Sequence, residues 1–298
     1  MSRIRAEIAS TEAHDLAEGP LWDPEQQRVL WVDIHEGRVR WGRLVGDQVQ
    51  AEGEHRVDGT LGAAVPTADG GLLVALTRRV ATIAPDGTLR MGSAMLPEGV
   101  ASRFNDGACD PAGRFLIGSM ATDDREGEDR LYRVDADGTV DVIDDDLTLS
   151  NGLDWSPDGT TLYHIDSVPG NVWARSYDAG TGEVGPRREV VRIEGGAPDG
   201  MTVDADGNLW VAVWGAGEVR CMDPGGALLA TVEVPAPHTS SVAFVGPDLD
   251  RLLITTARRD LSQRQLDQYP LSGHLFLATP GVRGRPATPW AGRCDQIR

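Results

Sequence analysis

"VDADGNLWVAV", residues 203–213, passes from an aspartate-rich turn straight into an apolar strand. Asp204-Ala205-Asp206-Gly207 has the composition of a type I turn closed by glycine, and Leu209 to Val213 reads as β-structure. One such unit says little. It recurs, however, as "WDPEQQRVLWVD" (22–33), "PTADGGLLVAL" (66–76), "CDPAGRFLIGS" (109–119), "WSPDGTTLYHID" (155–166) and "VGPDLDRLLITT" (245–256), at spacings in the mid-forties. That spacing is the length of one four-stranded propeller blade.

A second series of strand-then-turn segments interleaves with the first, among them "GRVRWGRL" (37–44), "DRLYRVDADG" (129–138) and "GEVRCMDPGG" (217–226). Six units carry both series. The sequence therefore predicts an all-β, six-bladed β-propeller of four-stranded antiparallel blades with a central metal site, residues 1–298 forming a single domain. Residues near 4 to 14 are expected to pair with the last blade and close the ring. A two-domain α/β fold is excluded because no helical periodicity separates the strands.

Composition agrees with this reading. The 36 glycines and 18 prolines favour many turns, and the net charge of −18 opposes binding to nucleic acid or an anionic membrane surface. No apolar run is long enough to span a bilayer, and the N-terminal stretch lacks the apolar centre of a signal peptide. A cytoplasmic protein is expected, monomeric or weakly homo-oligomeric. Cys109, Cys221 and Cys294 are widely spaced and form no C-x-x-C pair, so neither a disulfide framework nor a zinc cluster is expected.

The repeat also locates a candidate site. Counting about five residues back from each turn gives Glu18, the Gly62-Ala63 neighbourhood, Asn105, Asn151, Asp199 and the Ser240-Ser241 pair. Equivalent positions of the innermost strands face one mouth of the channel. Two carboxylates, two carboxamides and a hydroxyl thus stand where packing alone would supply Val or Ile. Polar groups crowded in a channel are satisfied by one another, by water or by an ion. An all-oxygen set suits a hard divalent cation, Ca²⁺, Mg²⁺ or Mn²⁺, although Zn²⁺ also takes oxygen ligands. Arg103, two residues before Asn105, reads as a planar donor fork at the same mouth. Strand alternation turns Asp106 away from Asn105 and gives it a structural role. Trp214 and His238 fall on the rim.

Other motifs carry less. Gly180, Gly182 and Gly185 fit G-x-G-x-x-G but lie between strands, with Pro186 next, rather than in a strand-turn-helix unit. Asp144-Asp145-Asp146 reads as a solvated loop. No H-E-x-x-H or G-x-S-x-G pattern is present.

"EGPLWD", "RFNDGACDPAGRFLIGSM", "LSNGLDWSPDGTTLYHIDS", "PDGMTVDADGNLWVAVWGAGEVR" and "SSVAFVGPDLDRLLITTA" together resemble the successive signatures of the regucalcin/gluconolactonase family, across nearly the whole chain. The resemblance implies one divalent cation held by Glu18, Asn151 and Asp199. It also implies Arg103 and Asn105 as contacts to a sugar lactone. Asp123 aligns with a family glutamate that touches substrate hydroxyls, and is one methylene shorter. Hydrolysis of a small sugar-derived lactone to its aldonic acid is then expected, with Asp199 as general base. Coordination by the same carboxylate lowers its basicity, so a hydroxide on the ion is the other candidate base. The rival readings are a hydrolase of organophosphates or non-sugar lactones on the same site, and a calcium-binding propeller without enzymatic activity.

Overall fold

The computed structural model describes residues 2–123 and 125–297, and in it six sheets surround one axis, four built from strands that follow one another in sequence and two that also take in an N-terminal strand. The innermost strands are Ala17–Asp23, Leu61–Pro66, Ser102–Cys109, Ser150–Trp155, Ala197–Val203 and Thr239–Val245. They head blades one to six in that order. The next strand outward is sandwiched between neighbouring blades. Leu72–Leu76 is buried along its whole length and so reads as a continuous apolar run rather than an alternating one. The outer strand Gln48–Arg56 faces water and is mostly polar. Between each pair of adjacent blades lies one apolar cluster, and the six clusters complete the ring.

The repeated turn aspartates lock the blades. Asp110 is fully buried, and its Oδ1 accepts the backbone N–H groups of Ala112 and Arg114. Asp204 repeats this with Asp206 and Asn208, and adds the indole N–H of Trp210. These carboxylates satisfy backbone donors that the turn would otherwise leave unpaired inside the protein. They are turn locks rather than metal ligands.

Ring closure departs in part from the expectation. Glu7–Ile8 does form the outer strand of blade six, antiparallel to Phe276–Ala278. Ser2–Arg5 instead adds a fifth, parallel strand to blade five, against Leu228–Glu233. The N-terminal segment thus covers two sheet edges rather than one. Asp144 to Asp146 lie in the strand Val140–Leu147, not in a loop, and Asp144 pairs with Arg175 and Arg187. Gly180 and Gly182 sit in the hairpin that returns the chain at Asp178. Among the described residues all three cysteines are free and buried, and no helix is long and apolar enough to cross a membrane.

All six inner strands share one irregularity. The ladder to the second strand slips at Glu18/Leu21, Leu61/Ala63, Phe104/Gly107, Asn151/Leu153, Pro198/Met201 and Thr239/Ser241. A bulge re-aims side chains locally, and here all six fall at one level of the channel. Glycine is required there because the inner strands converge. A Cβ on Gly152 would lie 2.6 Å from the Met201 nitrogen, and one on Gly200 would lie 2.0 Å from the Ser241 hydroxyl.

Candidate functional site

The bulge level gathers the charged and polar side chains. Glu18, Arg103, Asn105, Asn151 and Asp199 are each only 5–7% exposed, where an unpaired charge is costly. Asn105 links them. Its Oδ1 accepts from Arg103 Nη1 at 2.7 Å, and its Nδ2 donates to Asn151 Oδ1 at 2.8 Å and to the Ser150 carbonyl at 3.0 Å. Both amide protons of Asn105 are committed inside the protein. It therefore sets Arg103 and Asn151 in place.

Asn151 is held from its other end. Its Nδ2 donates to Ser167 Oγ at 2.8 Å, and Ser167 in turn donates to the Pro198 carbonyl at 2.6 Å, next to Asp199. This relay joins blades three, four and five. Ser240, placed in the ring by the repeat, turns aside to donate to the Ala17 carbonyl at 2.6 Å and so braces the strand that carries Glu18. The relay through Ser167 was not foreseen, and the only sign of it was a hydroxyl in the site-face loop "SVPG" (167–170).

The electrostatics are unbalanced toward negative charge. Burial first, and then the neighbouring charges of Asp199 and Asp106, hold the Glu18 carboxyl well above the usual range. Burial and the charge of Asp106 do the same to Asp199. Asp106 itself is pushed up to about 6 by burial, with the Gly107 N–H at 2.7 Å working against the shift. The nearby cation is Arg103, lowered to about 10 chiefly by burial and raised again by Glu18 and Asp199. Its Nη1 is committed to Asn105 and to the Phe104 carbonyl, while Nε and Nη2 make no hydrogen bond to the described residues.

The position of Asp106 corrects the alternation argument. The bulge between Phe104 and Gly107 breaks the period-two rule, so Asp106 also enters the channel. It lines a cavity of ≈ 280 Å³, among Leu21, Leu153, Met201 and Arg285, that extends to the turn residues Pro111 and Pro157. Asp123 stands apart. It is exposed in a site-face loop and ion-paired to Arg125 at 2.8 Å, outside the buried group.

Does this group suit a divalent cation? Among the described residues no three His, Cys, Asp or Glu side chains gather as a metal-binding set. The candidate set is instead two carboxylates and one carboxamide, Glu18, Asp199 and Asn151. The Asp199 carboxylate receives no hydrogen bond from the described residues, and Glu18 receives one, from the Gly19 N–H at 3.1 Å. Hard oxygen donors with excess negative charge and few protein partners fit a divalent cation of the calcium, magnesium or manganese class.

A family profile described as SMP-30/Gluconolactonase/LRE-like region matches residues 16–258. The chain is 36% identical to regucalcin of Gallus gallus, over 98% of this chain and 100% of that one. It is 35% identical to a pentonolactonase of Haloferax volcanii, over 91% of this chain and 93% of the other. Among solved structures, a luciferin-regenerating enzyme superposes with a TM-score of 0.88 at 30% identity, covering 96% of this chain and 99% of its own. A regucalcin from Agrobacterium tumefaciens, described as a calcium-binding protein, gives 0.90 at 28% identity, covering 97% and 98%.

Proposed function

The chain belongs to the SMP-30/gluconolactonase/LRE-like family, and we propose that it is a metal-dependent hydrolase that opens a sugar-derived lactone to its aldonic acid. One observation carries the reading. Two buried carboxylates without cationic hydrogen-bond partners share a channel level with an arginine whose Nε and Nη2 remain available. Similarity to a pentonolactonase supports the lactone as substrate class.

Glu18, Asn151 and Asp199 would hold the cation, one of Ca²⁺, Mg²⁺, Mn²⁺ or Zn²⁺, which when bound supplies Lewis-acid polarisation of the lactone carbonyl. The remaining work falls to the chain. Asp199 takes a proton from the attacking water and returns it to the ring oxygen as the C–O bond breaks. Arg103 offers Nε and Nη2 to the substrate oxygens and to the charge that develops on the carbonyl. Asn105 and Ser167 keep Arg103 and Asn151 from rotating away.

A panel of neutral aldonolactones followed in a pH-stat tests the reading. Chelation is expected to bring turnover below about a tenth, and adding back the cation to restore it. Full activity in the stripped protein would end the metal-dependent proposal. Arg103→Lys keeps the charge but loses the fork, and turnover per KM is expected to fall about 10-fold or more. The non-enzymatic alternative, a calcium-binding propeller, is supported by the description of the Agrobacterium protein and predicts cation binding with no turnover on any lactone.

A further inference from the structure

Above Asp199 the rim is built by two rings from neighbouring blades. Trp214 ends the second strand of blade five opposite Ala197, and Ala197 lies two residues before Asp199. At about 3.3 Å per residue, the Trp214 backbone stands roughly 7 Å above Asp199 along the channel. His238, two residues before Ser240, is bridged to Trp214, and its ring lies flat on the indole with centroids 4.1 Å apart and planes 17° from parallel.

This stack is fixed from several sides. His238 Nδ1 lies 2.9 Å from the Arg259 carbonyl, and the Ala257 N–H donates to the His238 carbonyl. The indole packs against the cluster between blades one and two, which holds Leu16, Ile34 and Ala257. Trp214 therefore leaves the blade-five cluster and packs at the top of the ring. The cluster between blades five and six is complete beneath it and does not include it. Both rings stay partly exposed, so packing of the blades covers them only in part.

We propose that Trp214, clamped by His238, is the specificity-determining wall of the mouth, laid against the C–H face of the substrate ring while the lactone carbonyl points down at Asp199. This deepens the lactonase reading and rests on it. The ring it faces is that of the sugar-derived lactone already proposed.

The test compares wild type, Trp214→Phe and Trp214→Ala on xylono-1,4-lactone and on γ-nonalactone at saturating cation, with calorimetric binding of xylonate alongside. Trp214→Ala is expected to raise KM for the sugar lactone about 10-fold or more, with kcat within about 3-fold. Xylonate binding weakens in parallel, Trp214→Phe recovers most of both, and γ-nonalactone kinetics change less. An unchanged KM, or equal losses in Phe and Ala, overturns the wall. If wild type opens no lactone yet binds xylonate and only Trp214→Ala releases it, the wall stands and the hydrolytic reading falls. If xylonate does not bind wild type either, both fall.

Discussion

Asp199→Asn is expected to lower lactone turnover by about 10³-fold or more while circular dichroism stays near wild type and the melting temperature does not fall. A positioned general base contributes roughly 10²–10⁴-fold, and the amide can neither accept the proton nor neutralise a cation as the carboxylate does. The fold does not depend on the charge, because the Asp199 carboxylate locks no turn, accepts no hydrogen bond from the described residues, and is buried so that its ionised form is a cost in the cation-free protein. Ligand and base are separated by titrating the divalent cation. Were Asp199 only a ligand, activity would return once the variant was saturated. Persistent inactivity at saturation assigns it as the base, and near-normal turnover without added cation removes it from the mechanism.

The second large effect concerns stability. Asp106→Asn is expected to stabilise the chelated protein at pH 8 by about 2–3 kcal/mol, the energy of a carboxyl moved from its ordinary range to about 6. The sign follows from the shift. Folding raises the pKa, so the charged form costs stability above pH 6, part of that cost between 4 and 6, and none below the unfolded value. The gain of the variant must therefore vanish near pH 3.5. Asparagine keeps an oxygen for the Gly107 N–H, so the backbone bond survives. Chemical denaturation at pH 8 and pH 3.5 decides the matter, and equal gains at both would mean that the buried charge is not the cause. A carboxylate that lowers stability at the level of Glu18 and Asp199 fits a site kept for function rather than for folding.

The turns made the ring legible. Their spacing fixed six blades, and the same register brought Glu18, Asn105, Asn151 and Asp199 to one level, as the structure has them. What stayed hidden were departures from period two and partnerships between distant residues. Asp106 was misread because a bulge moves it into the channel. Asp144 was misread because its partners, Arg175 and Arg187, come from the next blade. The pairing of Asp123 with Arg125 in a surface loop likewise had no sign in the alignment that suggested Asp123. Each N-terminal residue could pair with either of two sheet edges, and the division between blades five and six had no local signal.

The six coincident bulges separate what the propeller is from what it does. Backbone ladders, turn locks and interblade clusters build the ring, and the side chains at that level stand at or beside the slips in the ladder. Each blade thus offers the channel a short polar segment whose side chains can be rewritten while the sheet beneath it remains the same. A change of substrate in such a protein needs no new architecture, only new letters at that level.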